Sequence, residues 1–290
     1  MIYLLLSIIC NVLLLVIIKG FDKFSIPNLQ GIVVNYFVAG GVALVFIPKE
    51  ISRTTIFTSD WFGTAIILGT LFISIFFLIS LTAQKISISV ASVANKMSLV
   101  IPVLVAILFF GDKIQFFKIA GILLALVSVY LTTKKDKEPN KISDKKELLL
   151  PLFVFLGSGI IDALVNFANE KLIKESGHDA AFSCVGFFAA GSIGILIIAF
   201  QLIFQKKKFQ VKSIVAGIIL GIPNFFSIYF ILKALSTDLL ESSQLYPLAN
   251  ICIVVLSALA GLVIFKEKLS KLNIVGIALS IVATLLISFS

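Results

Sequence analysis

Two charges stand in stretches that are otherwise apolar: Lys96 in ASVANKMSLVIPVLVAIL and Asp162 in LFVFLGSGIIDALVNFAN. Away from water, each would cost several kcal/mol or lose its charge unless a partner, a ligand or water meets it. Lys96 and Asp162 together suit a zwitterion, the cation holding its carboxylate and the anion its amine. Amides extend the set. Asn95 adjoins Lys96, while Asn166 shares a face with Asp162, Ser158 and Asn169 by helical spacing. Asn11 follows Ser7 by four residues, and Asn224, Ser227, Tyr229 and Lys233 share another stretch. Asn250 stands in a fifth, and Tyr36 and Tyr246 are candidates for an aromatic wall. Pro102 and Pro247 free backbone carbonyls and are candidate hinges. Each feature also has a plainer reading: a snorkelling lysine, interhelical hydrogen bonds, or close helix packing.

This is chemistry of binding and charge compensation rather than of bond making. A single histidine, His178, and three cysteines, Cys10, Cys184 and Cys252, without metal-ligand spacing leave no metal site. There is no phosphate-cradling glycine loop and no nucleophile–histidine arrangement, so neither an enzyme nor a cofactor is expected.

The elements that must position these residues follow from composition. Of 290 residues 59% are hydrophobic, only 13% are charged, and 27 are Phe. A soluble domain could not cover so much apolar surface, so a lipid bilayer is the expected solvent. The net charge of +9 lies mainly in lysines between apolar runs. It reads as loops that fix membrane orientation, not as a nucleic-acid surface. Ten runs approach the length of a span, at about 2–18, 29–47, 61–81, 86–110, 116–133, 148–169, 180–204, 213–235, 240–264 and 272–289. Lipid cannot satisfy free backbone groups, so all ten are read as helices, the first included rather than taken for a signal peptide. The run KKDKEPNKISDKKE, with six Lys, is a solvated linker at 134–147 between halves 1–133 and 148–290.

The halves are copies. An offset of 151 carries Ser7, Asn11, Ala39 and Gly40 onto Ser158, Asp162, Ala190 and Gly191. An offset of 152 carries AIILG, ending at Gly69, onto GIILG, ending at Gly221. An offset of 155 carries Asn95, Phe110, Asp112, Lys113 and Gly121 onto Asn250, Phe265, Glu267, Lys268 and Gly276. Five spans per copy is odd, so consecutive copies enter the membrane in opposite senses. The expected fold is an all-α integral membrane protein of ten helices, built as two inverted five-helix repeats.

On these features the chain resembles the drug/metabolite transporter superfamily, in its EamA-domain branch, across essentially its whole length. The matching features are the five-plus-five spans, the small-residue starts of the fourth and ninth, and the closures FGDK and FKEK. A Gly-led final span ends each half, IAGILLALVSVYL and IVGIALSIVATLL. Two positions depart: Asp112 replaces the family's usual Glu, and Pro247 has Ser92 as its repeat mate. The resemblance implies a secondary transporter and points to exporters of amino acids and other metabolites. It also implies that the fifth and tenth spans are peripheral. Gly121, Ala125 and Ser128 with Gly276, Ser280 and Ala283 then serve packing or a homodimer.

The expectation is a non-ATP exporter of amino acids or related zwitterions in the cell membrane, working by alternating access as a monomer or homodimer. Its partners are a small-molecule substrate, the lipid bilayer and a coupling proton on Asp162. The alternatives are an exporter of lipophilic compounds or another organic-solute permease, and in a different class a membrane scaffold or enzyme. Lys and Arg concentrate in loops after odd-numbered spans, which places those loops in the cytoplasm; the resemblance implies the reverse. The acid–Lys closures are expected to orient loop ends and not to touch substrate.

Overall fold

The computed structural model of the protein describes residues 1–109, 115–133, 149–173, 178–235 and 242–288. The Asp112–Lys113 closure, the 134–147 linker and Glu241 lie outside these residues. Every regular element among the described residues is a helix. Ten are long and apolar enough to cross a membrane, and the protein is a multi-pass membrane protein.

In chain order the spans are α1 (Ile2–Lys23), α2 (Asn28–Val45), α4 (Phe62–Lys85), the pair α5 (Ile88–Met97) and α6 (Val100–Phe109), and α7 (Phe116–Thr133). The second half supplies α8 (Leu149–Ala168), α9 (Asp179–Phe204), α10 (Lys212–Leu235), α11 (Ser242–Ile264) and α12 (Lys271–Ser288). Between α2 and α4 lies the short α3 (Arg53–Thr58), opened by Ser52, whose hydroxyl accepts from the Thr55 N–H at 3.1 Å. Two features break the regularity read from hydropathy. The fourth span is two helices, not one, and α8 ends in a π-helical turn, Asn169–Ile173.

The helices group into two compact units that do not coincide with the sequence halves. One comprises 1–19, 78–160 and 227–290; the other comprises 20–77 and 161–226. Each therefore draws on both copies of the repeat. In the first unit the core joins Val93 and Met97 of α5, Val100 of α6, Ile122, Ala125 and Val129 of α7, Phe155 of α8, Val254 of α11, and Ala283 and Ile287 of α12. In the second, Trp61 packs with Ala65 and Leu68 of α4, Ala168 and Ile173 at the end of α8, and Ala181 and Phe182 of α9.

Close helix contacts inside each unit recur at the offsets of the sequence repeat. A methyl group added at Gly69 would lie 2.6 Å from the Gly186 carbonyl oxygen and 2.7 Å from Ala189 Cβ. One added at Gly221 would lie 2.7 Å from the Asn35 carbonyl oxygen and 2.7 Å from Val38 Cβ. The offset of 151 maps Asn35 and Val38 onto Gly186 and Ala189. Gly40 faces the Phe188 ring while Gly191 faces the Phe37 ring, and the two rings meet at 6.0 Å. Likewise Gly121 backs onto Ile287 and Ala283, and Gly276 onto Thr132 and Ser128. The small residues on the fifth and tenth spans are thus buried where α7 meets α12 within one chain. The outer faces carry exposed Phe117, Leu123 and Tyr130 on α7 and Val275 and Val282 on α12, as lipid contact requires.

Candidate functional site

The interruption between α5 and α6 has a local cause. Pro102 has no N–H to donate, and its ring opposes the carbonyl four residues back, that of Ser98. Ser98 and Leu99 accordingly leave the helix, and the Ile101 N–H bonds the Ser98 carbonyl at 2.9 Å in a tighter turn. The Ser98 hydroxyl donates to the Asn95 carbonyl. At the other end Ser87 caps α5, its hydroxyl accepting from the Val90 N–H at 3.0 Å. Lys96 therefore stands in the last turn of a ten-residue half-helix, where the helix dipole favours a cation. Val93, Met97 and Val100 bury one face of this stretch, leaving Asn95 and Lys96 half-buried on another.

The repeat mate behaves differently. Asn250 is half-buried on α11, which runs unbroken from Ser242 to Ile264. The position matching Pro102 is Ser257, which keeps its N–H and turns its hydroxyl onto the Val254 carbonyl at 2.9 Å. Pro247 is the sixth residue of α11, past the first turn, and the helix runs on through it. Of the two candidate hinges, the helix is interrupted at Pro102 and continuous at Pro247.

Other predicted residues of the first unit have local partners. Asn11 donates to the Ser7 carbonyl at 3.0 Å, and the Ser7 hydroxyl donates to the Ser227 carbonyl at 2.7 Å, tying α1 to α10. Tyr229 packs on Phe230, and the Lys233 ammonium lies 5.8 Å from its ring centroid, within cation–π range.

In the second unit, Asp162 and Asn166 occupy an exposed face of α8. Asn224 is buried and donates to Asn35 Oδ1 at 3.1 Å, and Asn35 itself is fully buried on α2. That amide pair joins α10 to α2 where Gly221 brings the backbones together. Sequence reading found Asn224 and missed Asn35, whose repeat mate is a glycine and carries no polar echo. Asn224→Leu should destabilise the fold by about 1–2 kcal/mol, because the buried Asn35 Oδ1 loses this donor. A double-mutant cycle with Asn35→Leu, read by denaturation in detergent, should return a coupling of about 0.6–1.7 kcal/mol. His178 also has a structural role, its Nδ1 accepting from the Trp61 indole N–H at 3.1 Å.

The structure adds a charged cluster that the sequence reading assigned only to loop ends. Glu267 forms an ion pair with Lys19, and the two side chains are 7% and 15% exposed. The same carboxylate oxygen accepts from the Ile88 N–H at 3.0 Å, at the start of α5. The FKEK repeat signal pointed at this residue, but nothing in the sequence linked it to Lys19.

Lys96, Asn95, Asn11, Tyr229 and Asn250 all belong to the first unit, and Asp162, Asn166 and Asn224 to the second. Three comparisons bear on what such a chain is. A solved protein structure aligns with a TM-score of 0.59 at 14% identity, over 97% of this chain and 95% of the other, which is a likeness of fold. An uncharacterized protein of Haemophilus influenzae is 29% identical over 283 residues, covering 96% of this chain and 94% of that protein. The family model of the EamA-like transporter family matches residues 149–289. The second half of this multi-pass membrane chain is thus similar to the EamA-like transporter family.

Proposed function

We propose that this protein is a secondary transporter of the cell membrane that exports a small zwitterion, an amino acid or a close relative, by alternating access. The family match supports transport of a small solute across a membrane. The observation that carries the finer reading is the interrupted span beside Lys96. Discontinuous helices at mid-membrane are where many secondary transporters hold substrate, because their ends present unpaired backbone dipoles. Here the gap begins two residues after Lys96, and the N-terminus of α6 follows it, an arrangement suited to a carboxylate.

Asp162 supports a polar path in the second unit. It lies well inside its span and is exposed, at a depth where hydrocarbon would not solvate a carboxylate. The recurrence of the glycine contacts at the repeat offsets supports two copies in equivalent roles, as alternating access requires.

The test is flux of labelled amino acids in proteoliposomes carrying the purified protein. Saturable counterflow of one or more zwitterions is expected. Movement of lipophilic cations with no amino-acid flux would replace the zwitterion reading with the drug-exporter alternative. Asp162→Asn gives a further check on proton coupling: pH-driven accumulation should disappear while downhill exchange continues. Accumulation that still follows the pH gradient in this variant would remove Asp162 from the coupling role.

A further inference from the structure

The Glu267 carboxylate holds together three elements of the first unit. It pairs with Lys19 near the end of α1, accepts from the Ile88 N–H at the start of α5, and sits on the loop that leaves α11. The surroundings are built to seat it. Lys266 adopts a left-handed backbone conformation (φ 52°), which is unfavourable for a non-glycine residue and turns the chain back on itself. The Glu267 N–H then reaches the Gly261 carbonyl at 3.0 Å. Gly261 leaves room for the side chain, since any Cβ there would overlap Glu267 Oε2. The Lys19 ammonium also lies 5.7 Å from the Phe265 ring centroid, and Gln84 fastens the Ile18 carbonyl at 2.8 Å.

The seat is not fully satisfied. Glu267 Oε2 and the buried hydroxyl of Ser89 have no hydrogen-bond partner among the described residues. A buried ion pair already gives back much of its attraction as lost hydration. An unpartnered carboxylate oxygen and a left-handed lysine offset it further. Such a contact holds a position without making departure from it prohibitive. The element it holds is α5, the ten-residue half-helix that carries Lys96 at its other end and is uncoupled from α6 by the Ser98–Leu99 turn.

We infer that Glu267 is a releasable latch: it clamps the N-terminus of α5 to α1 and α11, and it lets go when α5 moves during the transport cycle. The inference rests on the transporter reading, so two measurements separate the two. In a background with Cys10, Cys184 and Cys252 replaced by Ser, Lys19→Cys with Glu267→Cys is bridged by a short, reducible bis-methanethiosulfonate. Bridging should cut flux at least roughly tenfold relative to the same protein after reduction, equivalent to about 1.4 kcal/mol. Equal flux in the bridged and reduced forms would show that the clamp never opens and would overturn the latch.

The second measurement needs no transported solute. Ser89→Cys in the same background should react slowly with a water-soluble maleimide. Adding Glu267→Gln or Gly261→Ala, two independent ways to unseat the carboxylate, should raise that rate by roughly tenfold as α5 frees its first turn. An unchanged rate in both refutes the latch. Acceleration in a protein that moves no solute at all upholds the clamp's release and counts against the transporter reading instead.

Discussion

Lys96→Met should lower kcat/KM for a zwitterionic solute by about 10- to 160-fold, the equivalent of losing one charge-assisted hydrogen bond of about 1.5–3 kcal/mol. The side chain is half-buried in the last turn of α5, where the helix dipole favours a cation and the span breaks two residues further on. Met keeps the stem and removes the charge, so the folded protein should be recovered in normal yield. Lys96→Arg keeps the charge but changes its shape and should retain part of the activity. Flux in proteoliposomes across substrate concentrations and pH reads the effect. Wild-type kinetics in Lys96→Met would remove the residue from the substrate site and leave it a structural cation at a helix end.

The second large effect is on folding. Gly69→Leu should abolish recovery of folded protein, and Gly221→Leu should do the same. In both, the added atoms meet backbone: the Gly186 carbonyl and Ala190 N–H in one case, the Asn35 carbonyl in the other. Backbone in a packed helix pair cannot step aside as a side-chain tip can. Overpacking of even a methyl or two costs about 1–3 kcal/mol, and a leucine exceeds that. Small residues are what let membrane helices approach so closely in the first place. Gly41 supplies the control, since it is exposed and a Cβ there meets nothing within 4 Å. Gly41→Leu should elute and melt like the parent. Fluorescence-detected size exclusion with a thermal ramp distinguishes the three variants, and a monodisperse Gly69→Leu protein would contradict the packing argument.

The amino-acid sequence by itself determined the number and placement of the spans, because hydrophobicity is summed over neighbours along the chain and needs no partner. It also pointed to several of the closely packed glycines, though not to Gly159, Gly194 or Gly217. Repeat offsets of 151, 152 and 155 select Gly40, Gly69 and Gly121 with Gly191, Gly221 and Gly276, and at each of these helices close on each other. Only the tertiary structure decided which helices share a unit, since each compact unit takes segments from both halves. Pairings such as Lys19 with Glu267 and Asn35 with Asn224 span 248 and 189 residues of chain, and no local pattern joins their members. The break after Lys96 lies between these cases. Pro102 announces it in the sequence, but Pro223 and Pro247 sit inside continuous helices. A proline leaves a carbonyl without its helical donor, and the surrounding packing decides whether the chain bends, stays straight or opens.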